Sequence, residues 1–211
     1  MKIAVLGGGN GSFAAAGDFA LQGHDVRLWR RDASMVAEHR GSGSRIVLKD
    51  AHGRHDVQLS LVTTDMSEAV RGAELILCPA PAFAQSEIAD LLAPHLEDRQ
   101  VIFLPPATFG SMIFAKAAHR VGNGAKAVFA ETGTLPWLAR KHGRFEVAIT
   151  VRASVGVGMS ATNEAVISFL SCVVLLGYIQ DDSYRIRRSG RAERGVRAHS
   201  PAWSEIGRAH V

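Results

Sequence analysis

An α/β fold built on a doubly wound parallel sheet is what this sequence predicts, and three observations predict it. Short apolar runs ending in glycine or proline recur along the chain. Stretches of helical length separate them. The first apolar run leads straight into a turn made of Gly7, Gly8, Gly9 and Gly11. Strands alternating with helices imply βαβ units, whose parallel strands are buried between helical layers.

The elements follow in chain order. Ile3, Ala4, Val5 and Leu6 form a continuous apolar run, the pattern of a strand buried on both faces. Ala14, Ala15, Ala16, Phe19, Ala20 and Leu21 continue as a helix with small residues on one side, ended by Gly23 and His24. Residues 25–29 alternate as a second strand, and Asp32 caps a short helix running to His39. Residues 40–55 are polar and glycine-rich, a loop or hairpin, and Val57, Leu59, Leu61 and Val62 read as one strand. A short helix over 66–71 stops at Gly72, and ELILC at 74–78 is a continuous strand ending at Pro79. Residues 83–92 are helical and close at Pro94. Residues 100–104 form a strand ending at Pro105-Pro106. Residues 110–121 form a helix with Met112, Ile113 and Ala117 on its apolar side, and 127–130 a further strand.

The opening unit of strand, glycine turn, helix and strand fits in about 30 residues, the context that gives a dinucleotide fingerprint its meaning. A pyrophosphate needs backbone N–H groups aimed at it and the positive end of a helix dipole behind it. Gly7 allows the sharp exit from the strand, and Gly9 leaves room for phosphate to approach the backbone. Ser12 takes the third position and is small enough for close helix packing. This is a Rossmann-type fold by its local logic. In such sheets the ligand lies beyond the carboxyl ends of the strands. The segments after the second strand (Trp29-Arg30-Arg31), after ELILC (Pro79-Ala80-Pro81-Ala82-Phe83) and after VIFL (Pro105-Pro106-Ala107-Thr108) therefore join the glycine turn as candidate walls.

The second strand also bears on the cofactor. NAD sites usually end this strand in Asp or Glu for the ribose hydroxyl. Here Trp29-Arg30-Arg31 stands instead, so the sequence leans towards NADP, with Arg30 as partner of the 2′-phosphate. NAD stays open, because Asp32 is near enough in sequence to reach the ribose.

Charge and composition exclude other classes. Up to Gln180 there are 17 Lys and Arg against 16 Asp and Glu; from Asp181 onward there are 7 arginines against 4 acids. The net +4 thus belongs mainly to the end of the chain, and no basic patch points to nucleic acid. The two cysteines, Cys78 and Cys172, have no metal-ligand spacing, and their scarcity suits a reducing cytosol. The longest apolar run, 165–179, is too short to cross a bilayer. Residues 161–180, which contain it, read as an apolar helix or the start of a missing helical domain. From about Gly177 the periodicity is lost and arginines recur every few residues. Residues 205–211 (EIGRAHV) back-translate as GAG ATC GGA AGA GCA CAC GTC, a string like a sequencing adapter. A truncated reading frame with an adapter-derived or frameshifted end is the expectation for 181–211, beside a genuine basic tail.

VLGGGNGSFAAAGDFALQGHDVRLW resembles the N-terminal domain of opine (octopine/nopaline-type) dehydrogenases. LVTTDMSEAVRGAELILCPAPAFAQSEIADLLAPHL resembles the middle strands and helices of that family, and AETGTLPWLAR its ET-x-TLP-aromatic segment. The likeness covers roughly residues 1–160, the expected dinucleotide-binding domain. Asn10-Gly11 and Glu131-Thr132-x-Thr134-Leu135-Pro136 are its more specific parts. Gly133 and Trp137 replace a polar residue and a tyrosine, and Pro105-Pro106-Ala107-Thr108 replaces a loop that usually contains glycine. The resemblance implies NAD(P)H-dependent reduction of an imine formed between an amino acid and a 2-oxo acid. It also implies that the catalytic His and its carboxylate partner lie in a second, helical domain.

The candidate cofactor-binding residues are Gly7, Gly8, Gly9, Asn10, Gly11, Ser12, Phe13, Trp29, Arg30, Arg31, Pro79, Ala80, Pro81, Phe83, Glu131 and Thr132. Glu131 and Thr132 follow a strand end, where they face the nicotinamide or merely shape a turn. None of the nine histidines carries acid or metal spacing, so no catalytic residue is assigned. Two rivals stand beside the opine reading. A glycerol-3-phosphate- or ketopantoate-type dehydrogenase shares the opening, but its catalytic Lys and Asn segments are not recognisable here. The other rival is a nucleotide-binding module without catalysis. The chain as written is expected to bind cofactor without turning over.

Overall fold

The computed structural model describes residues 1–153 and the two-residue strand at 158–159. The chain divides into two units, Met1–Gln180 and Asp181–Val211, and every described residue lies in the first. The expectations for 161–180 and 181–211 fall outside the described residues.

Strand β1 (Lys2–Leu6) enters helix α1 (Asn10–Leu21) through the glycine turn, and β2 (Asp25–Trp29) follows. Asp32 then caps α2 (Ala33–Gly41), its carboxylate accepting from the N–H groups of Ser34 and Met35. β3 (Arg45–Asp50) and β4 (Gly53–Gln58) make an antiparallel hairpin. β5 (Leu61–Thr63), α3 (Met66–Val70), β6 (Leu75–Leu77), α4 (Ala82–Leu92), β7 (Val101–Leu104), α5 (Gly110–Arg120) and β8 (Val128–Glu131) alternate thereafter. β9 (Trp137–Lys141) and β10 (Glu146–Arg152) pair antiparallel, and β11 (Gly158–Met159) pairs antiparallel with β8.

The main sheet runs β11-β8-β7-β6-β1-β2-β5. Apart from β11 its strands are parallel, in the order of a Rossmann sheet, and the chain reverses direction across the sheet between β1 and β6. A ligand crevice opens at that switch point. The expected doubly wound sheet is therefore present.

A second sheet, β4-β3-β10-β9, is an addition the sequence did not announce. It packs on the outer side of α1. Helix α1 is consequently buried nearly all round, from Gly11 through Phe19. Its small residues serve both faces: a Cβ on Gly17 would lie 2.9 Å from Leu48 Cδ1 and 3.3 Å from Ile46 Cγ2. Residues 40–55, read as loop or hairpin, are the hairpin: they supply β3 and the start of β4. Val57, Leu59, Leu61 and Val62, read as one strand, divide between the two sheets: Val57 ends in β4, and Leu61 and Val62 lie in β5. The apolar face of α5 also differs from expectation. Met112 is exposed and Ile113 partly so, while Phe114 and Ala117 enter the core against α4.

A buried polar junction ties the second sheet to α1. Asp18 accepts from Trp137 Nε1 at 2.7 Å and from Arg152 Nη2 at 2.9 Å. Arg152 Nη2 also donates to Asp50 at 2.8 Å, and His55 Nε2 lies 3.1 Å from the other Asp50 oxygen. Trp137, which departs from the family's tyrosine, is thus used through its indole N–H, and its ring meets Phe19 edge-on at 5.9 Å. Cys78 is fully buried at the end of the β6 segment, where burial pushes its thiol up to about 12, so it behaves as a core residue.

Candidate dinucleotide site

The glycine turn is built as its sequence requires. Gly7 has φ +113°, which side chains other than hydrogen rarely adopt, and a Cβ there would lie 2.8 Å from Ser12 Oγ. Ser12 itself donates to Leu6 O at 3.3 Å, so the third fingerprint residue ties helix to strand. Gly9 caps α1 in an extended conformation with no side-chain bond, leaving the first helical N–H groups without intrahelical acceptors. A Cβ on Gly9 would meet nothing within 4 Å. The space in front of the helix is open, where a phosphate would sit. Gly11 has a different reason: a Cβ there would press on Pro79 Cβ and Leu135 Cδ2, each at 3.0 Å.

A cavity of about 200 Å³ opens in front of this turn. Gly7, Gly8, Gly9 and Ser12 form its floor, Trp29 and Arg31 one end, and Pro79, Ala80 and Pro81 the loop after β6. Ala84, Glu87 and Ile88 of α4 close it. These last three were not foreseen. Their spacing of three and four residues puts them on one face of α4, the signal that would have found them. Trp29 is held by its Nε1 donating to Thr64 O at 2.9 Å. Arg31 donates to both carboxylate oxygens of Glu87, at 2.8 and 2.6 Å, across the mouth.

The other candidates lie off the cavity. Phe13 is fully buried and presents no surface to a ligand. Arg30, expected at a ribose phosphate, is 8% exposed and folds beneath Gly8, so of the two arginines it is Arg31 that lines the cavity. The alternation past β2 sends the two side chains opposite ways. Asp32, the alternative ribose partner, is engaged as the cap of α2. Asn10 Oδ1 accepts from Lys141 N at 3.0 Å, joining the turn to β9. Phe83 is exposed at the first turn of α4. Glu131 accepts from Phe109 N at 3.1 Å and Ser111 N at 2.8 Å, capping α5. Thr132 donates through its hydroxyl to Thr134 O at 2.8 Å, a turn-shaping bond. Gln85, also unforeseen, is buried and donates to Ala80 O and Pro106 O at 3.2 and 3.4 Å, linking the two proline loops. Among the described residues no group of His, Cys, Asp and Glu could hold a metal ion, and no helix is long and apolar enough to cross a membrane.

Comparison with known proteins agrees with this geometry. Residues 2–105 match the family described as the N-terminus of NAD-dependent glycerol-3-phosphate dehydrogenase. The chain is 33% identical over 148 residues to the opine dehydrogenase of Arthrobacter sp. (strain 1C), covering 69% of this chain and 40% of that protein. It is 36% identical over 103 residues to the glycerol-3-phosphate dehydrogenase [NAD(P)+] of Nitratidesulfovibrio vulgaris (strain DP4), covering 48% of this chain and 30% of that protein. A stretch of 31 residues is 90% identical to a putative uncharacterized protein of Escherichia coli, of which it covers 74%. Among solved structures, octopine dehydrogenase with NADH and pyruvate superposes with a TM-score of 0.68 at 22% identity, over 81% of this chain and 47% of that one. Yersinopine dehydrogenase with NADP+ bound gives 0.69 at 12% identity, over 84% and 46%. The chain thus spans less than half the length of these dehydrogenases. The chain carries an N-terminal NAD(P)-binding domain of the opine dehydrogenase-like kind.

Proposed function

We propose that the chain is the cofactor-holding part of an opine-type oxidoreductase, which condenses an amino acid's amine with a 2-oxo acid and reduces the resulting imine. The observation that carries this reading is the cavity before Gly7–Ser12, set at the switch point of the sheet with open space at Gly9. The opine dehydrogenase match extends over 148 residues, against 103 for the Nitratidesulfovibrio glycerol-3-phosphate dehydrogenase, and this favours the opine chemistry over that rival. NAD(P)H, when bound, supplies the hydride.

The residues present divide the binding work. The glycine turn and the first N–H groups of α1 take the pyrophosphate. Trp29, Pro81 and Ile88 offer apolar surface to the adenosine, and Arg31 takes a 2′-phosphate by charge-assisted hydrogen bonds. The cavity's polar side chains are Ser12, Arg31 and Glu87, with no histidine among them. That cavity serves the phosphate and adenosine end of the cofactor, away from an imine nitrogen. The chain spans less than half of its opine dehydrogenase relatives, and on that ground it is expected to bind NADPH without oxidising it. A coupled assay with arginine or alanine against pyruvate or 2-oxoglutarate tests this. Sustained oxidation requiring both substrates would place the proton donor within these 211 residues. The setting is a reducing cytosol.

The Arg31–Glu87 pair makes a cofactor prediction. Arg31→Ala should weaken NADPH binding about tenfold or more while leaving NADH nearly unchanged, since only the phosphate uses the guanidinium. Glu87→Gln should strengthen NADPH by removing a carboxylate beside the phosphate. Fluorescence titration of both cofactors reads the ratio. Equal losses for NADH and NADPH in Arg31→Ala would remove Arg31 from the ribose end.

A further inference from the structure

Behind the glycine turn, off the cavity, two cations lie together. Arg30 is 8% exposed, and its guanidinium sits so close under Gly8 that a Cβ there would be 2.8 Å from Nε. Its Nη1 is buried with no hydrogen-bond partner. Lys141, the last residue of β9, donates from Nζ to Gly8 O at 3.3 Å. Both cations stand over the Phe13 ring, at 5.5 Å for Arg30 and 3.7 Å for Lys141. Neither has a carboxylate within ion-pair distance among the described residues. The carboxylates acting on Arg30 are Asp32 and Glu38, outside ion-pair distance, and the buried His39 ring stacks on Phe13. Burial holds both Arg30 and Lys141 below their ordinary values, and for Lys141 the Arg30 charge adds to it.

A buried arginine with an orphaned N–H beside a partly buried lysine is costly in the empty protein. The Phe13 ring and the Gly8 carbonyl compensate only in part. What the cluster lacks is negative charge, and the nearest place for it is across the Gly8 peptide, where the cavity floor begins.

We infer that Arg30 and Lys141 are positioning residues for the cofactor's pyrophosphate: they brace Gly8 from behind and supply, through the loop, positive potential against the diphosphate. This rests on the reading that the Gly7–Ser12 turn takes a dinucleotide. It also explains why the second sheet is fastened to the turn, through Asn10 and Gly8, by a single residue of β9.

The experiment uses Lys141→Met and Lys141→Arg in the full chain. Methionine keeps the stem over Phe13 and leaves the backbone bond to Asn10 intact. Binding of NADH, NADPH and ADP-ribose is titrated at two salt concentrations, and thermal unfolding is followed without ligand. Lys141→Met should weaken all three ligands by about tenfold, the scale of one charge acting across a loop at an effective dielectric near 20. The unliganded melting temperature should stay level or rise, and Lys141→Arg should restore affinity. A merely structural lysine would lower stability and affinity together, without rescue by arginine, and would overturn the inference. So would unchanged affinity, or a loss confined to NADPH, which would assign Lys141 to the ribose phosphate. Failure of the wild-type chain to bind any of the three ligands would remove the dinucleotide reading itself.

Discussion

Gly9→Val is expected to abolish NADPH and NADH binding, by a hundredfold or more in Kd, while the chain stays folded. The two halves of that expectation have separate causes. Gly9 has φ −83° and ψ −173°, an extended conformation open to any residue, and a Cβ there meets no atom within 4 Å. The fold therefore has no objection to a side chain. The ligand does, because the empty volume lies in front of the first N–H groups of α1, where phosphate oxygens must come within about 3 Å of the backbone. Two valine methyl groups fill that approach. The contrast with Gly7→Val sharpens the test. That change forces a β-branched residue to φ +113° against Ser12 Oγ and should destabilise the whole domain. Circular dichroism and thermal unfolding separate the two variants, and cofactor fluorescence measures the loss. Normal affinity in a folded Gly9→Val chain would mean that the dinucleotide does not bind at this turn.

The glycine turn was legible because its constraints are local. A strand, a tight exit and a helix start lie within a dozen residues, and each leaves its mark on residue type. The parallel strands were legible for the same reason, as apolar runs ending in glycine or proline. What the sequence did not show depends on contacts between distant segments. The second sheet joins β3 near residue 47 to β10 near 146, a parallel pairing with no local signature. Its strands are half polar, because among the described residues one face is covered, by α1. The division of Val57 from Leu61 and Val62 has the same root: the intervening residues cross from one sheet to the other.

Arg30 and Phe13 teach a related lesson. Both sit where a motif places ligand contacts, but β9 and α2 fill the space beside them and turn them inward. Glu131 was legible as a residue at a strand end, whereas its capping of α5 required knowing that Phe109 adopts φ +61°. Ala84, Glu87 and Ile88 were within reach of a helical-face argument once α4 was known to flank the glycine turn.

Arg152→Met is expected to cost about 3–5 kcal/mol of stability, the range for removing one partner of a buried ion pair. Arg152 is the only cation within ion-pair distance of Asp18 among the described residues, and it also holds Asp50; the two carboxylates are 5% and 2% exposed in their side chains. Methionine fills much of the same space, so the loss is electrostatic rather than a cavity. Two buried carboxylates would be left with only Trp137, His55 and the His52 N–H as donors. On a domain of this size the melting temperature should fall by roughly 10 °C. The acid limb carries a second signature. Burial pushes the Asp50 carboxyl up, but the bonds from Arg152, His52 N–H and His55, with the Arg152 charge, outweigh it and hold it below its ordinary value. A carboxyl lowered in the folded state contributes stability that is present above its unfolded value of about 4 and is lost as pH falls through the folded one. Wild type should therefore lose stability below about pH 4. Arg152→Met, already without this contribution, should show a flatter acid limb and partial recovery as the stranded Asp50 carboxylate takes up a proton. Adding Asp50→Asn to Arg152→Met should return part of the lost stability, since the amide needs no counter-charge. A double-mutant cycle between these positions measures the coupling. Additive losses and an unchanged acid limb would show that the junction holds α1 to the second sheet by packing alone.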